Sequence, residues 1–259
     1  MLLLARTTFL LFTTQVGRIF TSRRALICIA LALLPALVAA GIAHFSNRIG
    51  PIDIAVHIGG LMLLQIIVPI LALIAGSAVV AEEIEDRTIT YLFSRPIPRA
   101  ALLFGRWLAT IVFLCAILAL GTWLFFQAAS MSKVVGAVID DSITQPLFVA
   151  VMLGATVYSA LFAVSGIVFK SPILVGLGYT FAVEGFLANL PGGNQSLTIQ
   201  YYLRSWLLDQ GGKPWRIEGL DLDKPASVTS VLTTLACILA VALVFGAWRI
   251  ARREFVLTS

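Results

Sequence analysis

Long apolar runs separated by short polar ones fill this chain, and the runs are too long for the helices of an ordinary soluble core. A helix rises about 1.5 Å per residue, so about 20 apolar residues cross the hydrocarbon of a bilayer. Six segments reach that length, at about 25–45, 54–80, 101–127, 146–169, 171–190 and 228–248. The second and third exceed a perpendicular crossing, which tilting accommodates. Pro35, Pro69, Gly121, Gly154 and Gly166 fall inside these runs, where neighbouring helices satisfy the freed backbone groups.

Two further segments carry amphipathic spacing. Over 7–21, Phe9, Phe12, Val16, Ile19 and Phe20 share one helical face, with Thr7, Thr14, Arg18 and Thr21 opposite. This predicts a helix within 1–24 lying in the plane of the membrane interface, its arginines directed at anionic headgroups. Between spans five and six, breaker runs at 191–194 and 211–214 bracket a second such stretch. There Ile199, Tyr202, Leu203, Trp206 and Leu207 share a face and Arg204 falls on the other. The pattern predicts a short helix resting on the outer surface, with Trp206 and Trp215 as headgroup-level anchors.

Composition agrees. Of 259 residues 59% are hydrophobic and 12% charged, with a mean hydropathy of +0.99. A soluble domain carries about a quarter charged residues, and a disordered chain needs low hydrophobicity and high charge. The fold class is an all-α membrane protein with six transmembrane helices, read as one domain over 1–259 without internal repeats.

The net charge of +5 does not point to nucleic acid, because the cations are scattered between spans. Twelve of the 18 lysines and arginines fall on the side shared by both termini, among them Arg18, Arg23, Arg24, Arg106, Arg249 and Arg252. The positive-inside rule then places the protein in the cytoplasmic (inner) membrane with the N- and C-termini cytoplasmic. Arg23 and Arg24 before an apolar run ending at Ala40 look like a signal peptide, but the run is too long and its upstream segment too apolar for cleavage. Cys28, Cys115 and Cys237 lie within apolar runs and read as small apolar filler.

The stretch 81–99 differs from an ordinary connecting loop. Glu82, Glu83, Glu85 and Asp86 fall together after span two, which predicts the first turns of a new helix, where carboxylates favour the positive end of the dipole. Ile84, Thr88, Tyr91 and Leu92 form one face, and Pro96 and Pro98 then impose extended backbone before span three. A compact helix with apolar, acidic and basic parts is built to touch a partner.

This segment resembles the ABC-2 family of ATP-binding-cassette permeases. The family pattern runs Glu-x-Glu-x-Gly-Thr, a hydrophobic stretch, then Leu-x-Ser-x-Pro, a hydrophobic residue, Ser and Arg. The chain matches it at Glu83, Glu85, Thr88, Leu92, Ser94, Pro96, Ile97 and Arg99, and departs at Arg87 and Pro98. The six spans, the N-terminal interfacial helix and the long segment before span six are also similar. The resemblance implies a cytoplasmic coupling helix between spans 2 and 3 that docks on a separate ABC ATPase (nucleotide-binding) subunit. Its contacts would come from Glu82, Glu83, Glu85, Asp86, Arg87, Thr88, Tyr91, Leu92, Ser94, Arg95, Pro96 and Arg99. It implies, too, a second permease subunit in a homo- or heterodimer, short outer helices before span 6 that close the external end, and ATP and Mg on the partner ATPase. No cofactor is expected on this chain, which lacks the Gly-x-x-x-x-Gly-Lys-Ser/Thr phosphate cradle as well as the Gly-x-Ser-x-Gly and His-Glu-x-x-His signatures. It is not read as an enzyme.

Polar residues inside the spans are few. Gln65 in the second and Glu184 and Asn189 in the fifth are the candidate pathway or outer-gate residues, since an intramembrane carboxylate is costly and calls for a partner. Glu184 is placed to accept hydrogen bonds from backbone amides in 191–199 when that gate is shut. His44, Asp53 and His57 flank the first outer loop with spacing too weak to predict a metal site. The resulting reading is the permease subunit of an exporter working by alternating access. The alternative is a secondary transporter or channel, which predicts charged or discontinuous helices at the midplane.

Overall fold

The computed structural model describes residues 2–20, 22–46, 48–85, 99–134, 138–189, 193–216, 222 and 224–252, and among these there is no strand. Helices α1 (Leu2–Phe20) and α2 (Arg23–Phe45) come first, followed by α3 (Pro51–His57). α3 runs through a wide π-helical segment, Ile58–Ile67, into α4 (Val68–Glu85). Then come α5 (Arg99–Ser130), α6 (Asp141–Val168) and α7 (Pro172–Gly178), the last widened by a second π segment at Tyr179–Phe186. α8 (Ile199–Gly211) and α9 (Val228–Arg252) complete the order.

Six helices are long and apolar enough to cross a membrane: Arg23–Phe45, Pro51–Val79, Ala101–Ser130, Asp141–Val168, Pro172–Asn189 and Val228–Arg252. These are the six expected spans, with borders shifted by a few residues. Their starts follow local chemistry. Ser22 caps α2, its hydroxyl accepting from the Ala25 amide at 3.2 Å, and Pro51 and Pro172 occupy first-turn positions where a missing N–H costs nothing. Pro35 lies inside α2, which continues to Phe45.

α6 is the hub. In its apolar stretch 61% of residues are buried, against 11% for α9 at the periphery, and it packs on α4, α5, α8 and α9. Contact with α4 is close because small residues face each other. A Cβ on Gly76 would come 2.8 Å from the Ser159 carbonyl oxygen, and one on Gly166 2.5 Å from that of Ser77. Within lipid, where apolar surface alone does not drive association, such backbone approach is a main source of helix adhesion. Leu63, Leu71, Phe113 and Phe125 from its neighbours, with Tyr158 and Phe162 of α6 itself, are fully or almost fully buried.

α1 forms where the amphipathic spacing places it and packs along α5. The Phe20 ring meets Phe113 edge-on with centroids 5.2 Å apart.

Two expectations are corrected. α4 extends to Glu85, so Glu82, Glu83 and Glu85 stand at the C-terminal end of that helix rather than in the first turns of a new one. α8 does not rest on the outer surface. Ile199, Leu203 and Leu207 are buried in the bundle, α8 packs on α6, and Trp215, at 4% exposure, is a core residue rather than a headgroup anchor. Arg204 points inward. The helical wheel sorted side chains only by polarity, whereas partners from other spans decide which way an arginine turns.

Candidate functional site

Glu184 lies on the second π segment and is completely buried. One carboxylate oxygen accepts from the Tyr179 hydroxyl at 2.6 Å and from the Ile199 amide at 3.1 Å. The other accepts from the Gln200 amide at 2.9 Å. The expected hydrogen bond to a backbone amide in 191–199 is therefore present, and a second falls just beyond it. Thr198, the N-cap of α8, accepts from the Tyr201 amide at 3.2 Å. With the Thr198 amide donating to the Gln195 carbonyl at 3.0 Å, all four amides that a helix start leaves without partners are satisfied, two of them by a carboxylate at the positive end of the helix dipole.

One turn further along α8, Arg204 spreads its guanidinium between two spans. Nη1 and Nη2 each donate to Asn189 Oδ1 at 3.0 Å, and Nη2 also donates to Gln65 Oε1 at 2.8 Å. Burial pulls the guanidinium below its usual range, opposed by Tyr158 and Glu184 nearby; an arginine remains cationic throughout. Gln200 donates from Nε2 to the Leu64 carbonyl at 3.0 Å, and Asn189 donates to the Gly185 carbonyl. The three candidate residues Gln65, Glu184 and Asn189 therefore converge on one element, α8. Sequence reasoning missed Arg204, Gln200 and Tyr179 as members of this cluster. The available signal was that Gln200 and Arg204 are four residues apart and share a helical stripe.

Both π segments contribute. Gln65 and the Leu64 carbonyl lie on the first, Tyr179 and Glu184 on the second. Wide turns of this kind recur at functional sites, and here both carry polar groups inside apolar spans. The seat also holds unspent capacity. The Tyr158 hydroxyl and Gln200 Oε1 are buried without a hydrogen-bond partner among the described residues. Each such group costs about 1–3 kcal/mol.

Of the residues assigned to ATPase coupling, Glu82, Glu83 and Glu85 lie in the last turns of α4, and Arg99 opens α5. Asp86, Arg87, Thr88, Tyr91, Leu92, Ser94, Arg95 and Pro96 lie outside the described residues. The histidines do not converge: His57 Nδ1 lies 3.0 Å from the Asp53 carbonyl oxygen, and His44 sits edge-on to Phe45. Among the described residues no three His, Cys, Asp or Glu side chains form a group able to hold a metal.

Six apolar spans and a short polar helix seated among them by buried hydrogen bonds define a polytopic helical membrane protein. The family model described as ABC-2 family transporter protein matches residues 5–255, nearly the whole chain, and the chain belongs to that family. It is the membrane subunit of an ABC transporter. No curated protein matches the chain.

Proposed function

We propose that this subunit is the permease of an ATP-driven exporter, working as a dimer by alternating access, with two ATPase subunits docked on 82–99 and α8 as its outer gate. The observation that carries the reading is a continuous mechanical link between those two places. The span Pro51–Val79 and the rest of α4 join the Gln65 region, which holds α8, to the acidic turn at Glu82, Glu83 and Glu85. The close Gly76–Ser159 and Gly166–Ser77 approaches lock α4 to α6, and α6 carries the floor of α8 at Gly154, beneath Leu203. Packed helices with so little slack shift as rigid bodies. A push at 82–99 is then delivered to the seat of α8.

The acidic turn supports a docking role. The acidic run Glu82, Glu83, Glu85 and Asp86 is complementary in charge to a basic groove on a partner. Charge complementarity of that kind sets encounter rate and register. Glu184, Gln65 and Asn189 act in this reading as gate residues, with Arg204 and Gln200 added to them. N- and C-termini are cytoplasmic, in the inner membrane. ATP and Mg belong to the partner.

The test is reversal of Glu82, Glu83, Glu85 and Asp86 to Lys in the reconstituted complex. Membrane insertion stays intact, because these residues lie at or beyond the end of the apolar span, while co-purification of the ATPase subunit and ATP-driven efflux are lost. Normal assembly and efflux in the reversed protein would reduce the cluster to a solvated turn.

A further inference from the structure

One hydroxyl beside the seat of α8 has no employment while that helix is docked. Tyr158 lies on α6 with no solvent exposure, and its hydroxyl has no hydrogen-bond partner among the described residues. It sits next to the Glu184 carboxylate and the Gln200 side chain, without the distance and angle of a hydrogen bond to either. The ring is held in place. It stacks on Phe162 with centroids 6.2 Å apart and 15° between the planes, and Phe162 in turn meets Tyr179 edge-on at 6.1 Å. Tyr179 is the residue whose hydroxyl donates to Glu184 at 2.6 Å. Two tyrosines thus bracket one phenylalanine beside one carboxylate, and only one of them is bonded to it.

Docking and undocking give Glu184 different partners. Of its three donors, the Ile199 and Gln200 amides belong to α8 and leave with it. Tyr179 stays, because it shares the π segment with Glu184. A carboxylate inside a span is costly unless paired, and with one donor left most of its lone pairs go unanswered. The unbonded Tyr158 hydroxyl is the opposite defect, a buried donor without an acceptor. We propose, on the reading of α8 as the outer gate, that Tyr158 is a positioning residue of the open state. As α8 lifts, its hydroxyl donates to the Glu184 oxygen that the Gln200 amide has released. The handover satisfies both groups at once. It also keeps Glu184 aimed at the empty seat, so that the amides of a returning α8 find their acceptor in place. The donor comes from α6, the hub of the bundle, which remains when α8 departs.

The experiment measures how fast N-ethylmaleimide labels Ser205→Cys, a fully buried position of α8, in the full chain with Cys28, Cys115 and Cys237 replaced by alanine. Tyr158→Phe keeps the ring and its stacking and removes only the hydroxyl. That relieves the docked state of an unpartnered donor and takes a donor from the undocked one. Both effects favour docking, so labelling slows by about tenfold. Faster labelling would show the hydroxyl holding α8 shut, and an unchanged rate would show it idle in both states; either overturns the proposal. So would a Tm below that of wild type, since the hydroxyl would then be paired while α8 is docked. Glu184→Leu is the control for the gate itself, and it speeds labelling. If it does not, the gate reading fails whatever Tyr158 does. Within the Glu184→Leu background there is no carboxylate to take, so adding Tyr158→Phe leaves the rate within about twofold. An undiminished slowing there would give the hydroxyl to water in the undocked state, overturning the handover and leaving the gate standing.

Discussion

Replacing Glu184 separates what its shape contributes from what its charge contributes. The carboxylate takes three donors at a position with no solvent exposure: the Tyr179 hydroxyl and the amides of Ile199 and Gln200. Glu184→Leu leaves all three without an acceptor. At about 1–3 kcal/mol for each orphaned donor, the docked α8 loses about 3 kcal/mol or more. Glu184→Gln keeps one carbonyl oxygen with two lone pairs, so one donor goes unanswered and the bonds lose their charge assistance. The loss there is about 1–3 kcal/mol. With about 1.4 kcal/mol per factor of ten, undocking rises about tenfold for Gln and about a hundredfold or more for Leu. The assay is maleimide labelling of Ser205→Cys, which replaces a fully buried residue of α8, in a background with Cys28, Cys115 and Cys237 removed. The labelling rate reports the undocked fraction, and efflux and basal ATPase rate in the reconstituted complex report its consequence. Wild-type labelling rates in both variants would refute the reasoning, because the carboxylate would then not be holding α8. If Gln alone abolished efflux at an unchanged labelling rate, the charge itself would be required, and proton or cation coupling would replace gating.

Arg204→Lys keeps the charge but cannot reach Asn189 and Gln65 with one planar fork, so Ser205→Cys labels faster in that variant too, by about tenfold. Gly166→Val forces a side chain against the Ser77 carbonyl and costs about 1–3 kcal/mol or more through overpacking, read as a lower Tm and faster loss of monodispersity in detergent; an unchanged Tm would remove the rigid α4–α6 link. In intact cells a cysteine at exposed Gln210 reacts with an impermeant maleimide, whereas one at Glu83 is protected. The reverse pattern would invert the topology and displace the docking assignment with it.

Helix existence and membrane crossing were legible from local properties. Apolar length fixes a span because every backbone group in lipid must be satisfied within its own helix, and that requirement needs no knowledge of neighbours. The six spans therefore appear in the chain much as they stand in the structure. The family was legible for a similar reason, since the residues from Glu83 to Arg99 form a contiguous pattern. Glu184, Gln65 and Asn189 stood out one by one, as polar residues in apolar surroundings.

What joins them was decided by tertiary structure. Arg204 and Gln65 are 139 residues apart and Gln200 and Leu64 are 136 apart, so no helical wheel contains both members of either pair. The same limit explains the misplaced α8: a wheel records that Arg204 is polar but not that two spans offer it amide oxygens. Nor does local sequence say whether α4 includes the acidic run. The run Glu82, Glu83, Glu85 opens a new helix or closes an old one with equal local plausibility, and only the continuous backbone through Glu85 chooses. Length and hydropathy settle which segments enter the membrane because burial in lipid acts on each segment separately. The direction in which each buried polar group turns is settled only by the partner that the fold brings to it.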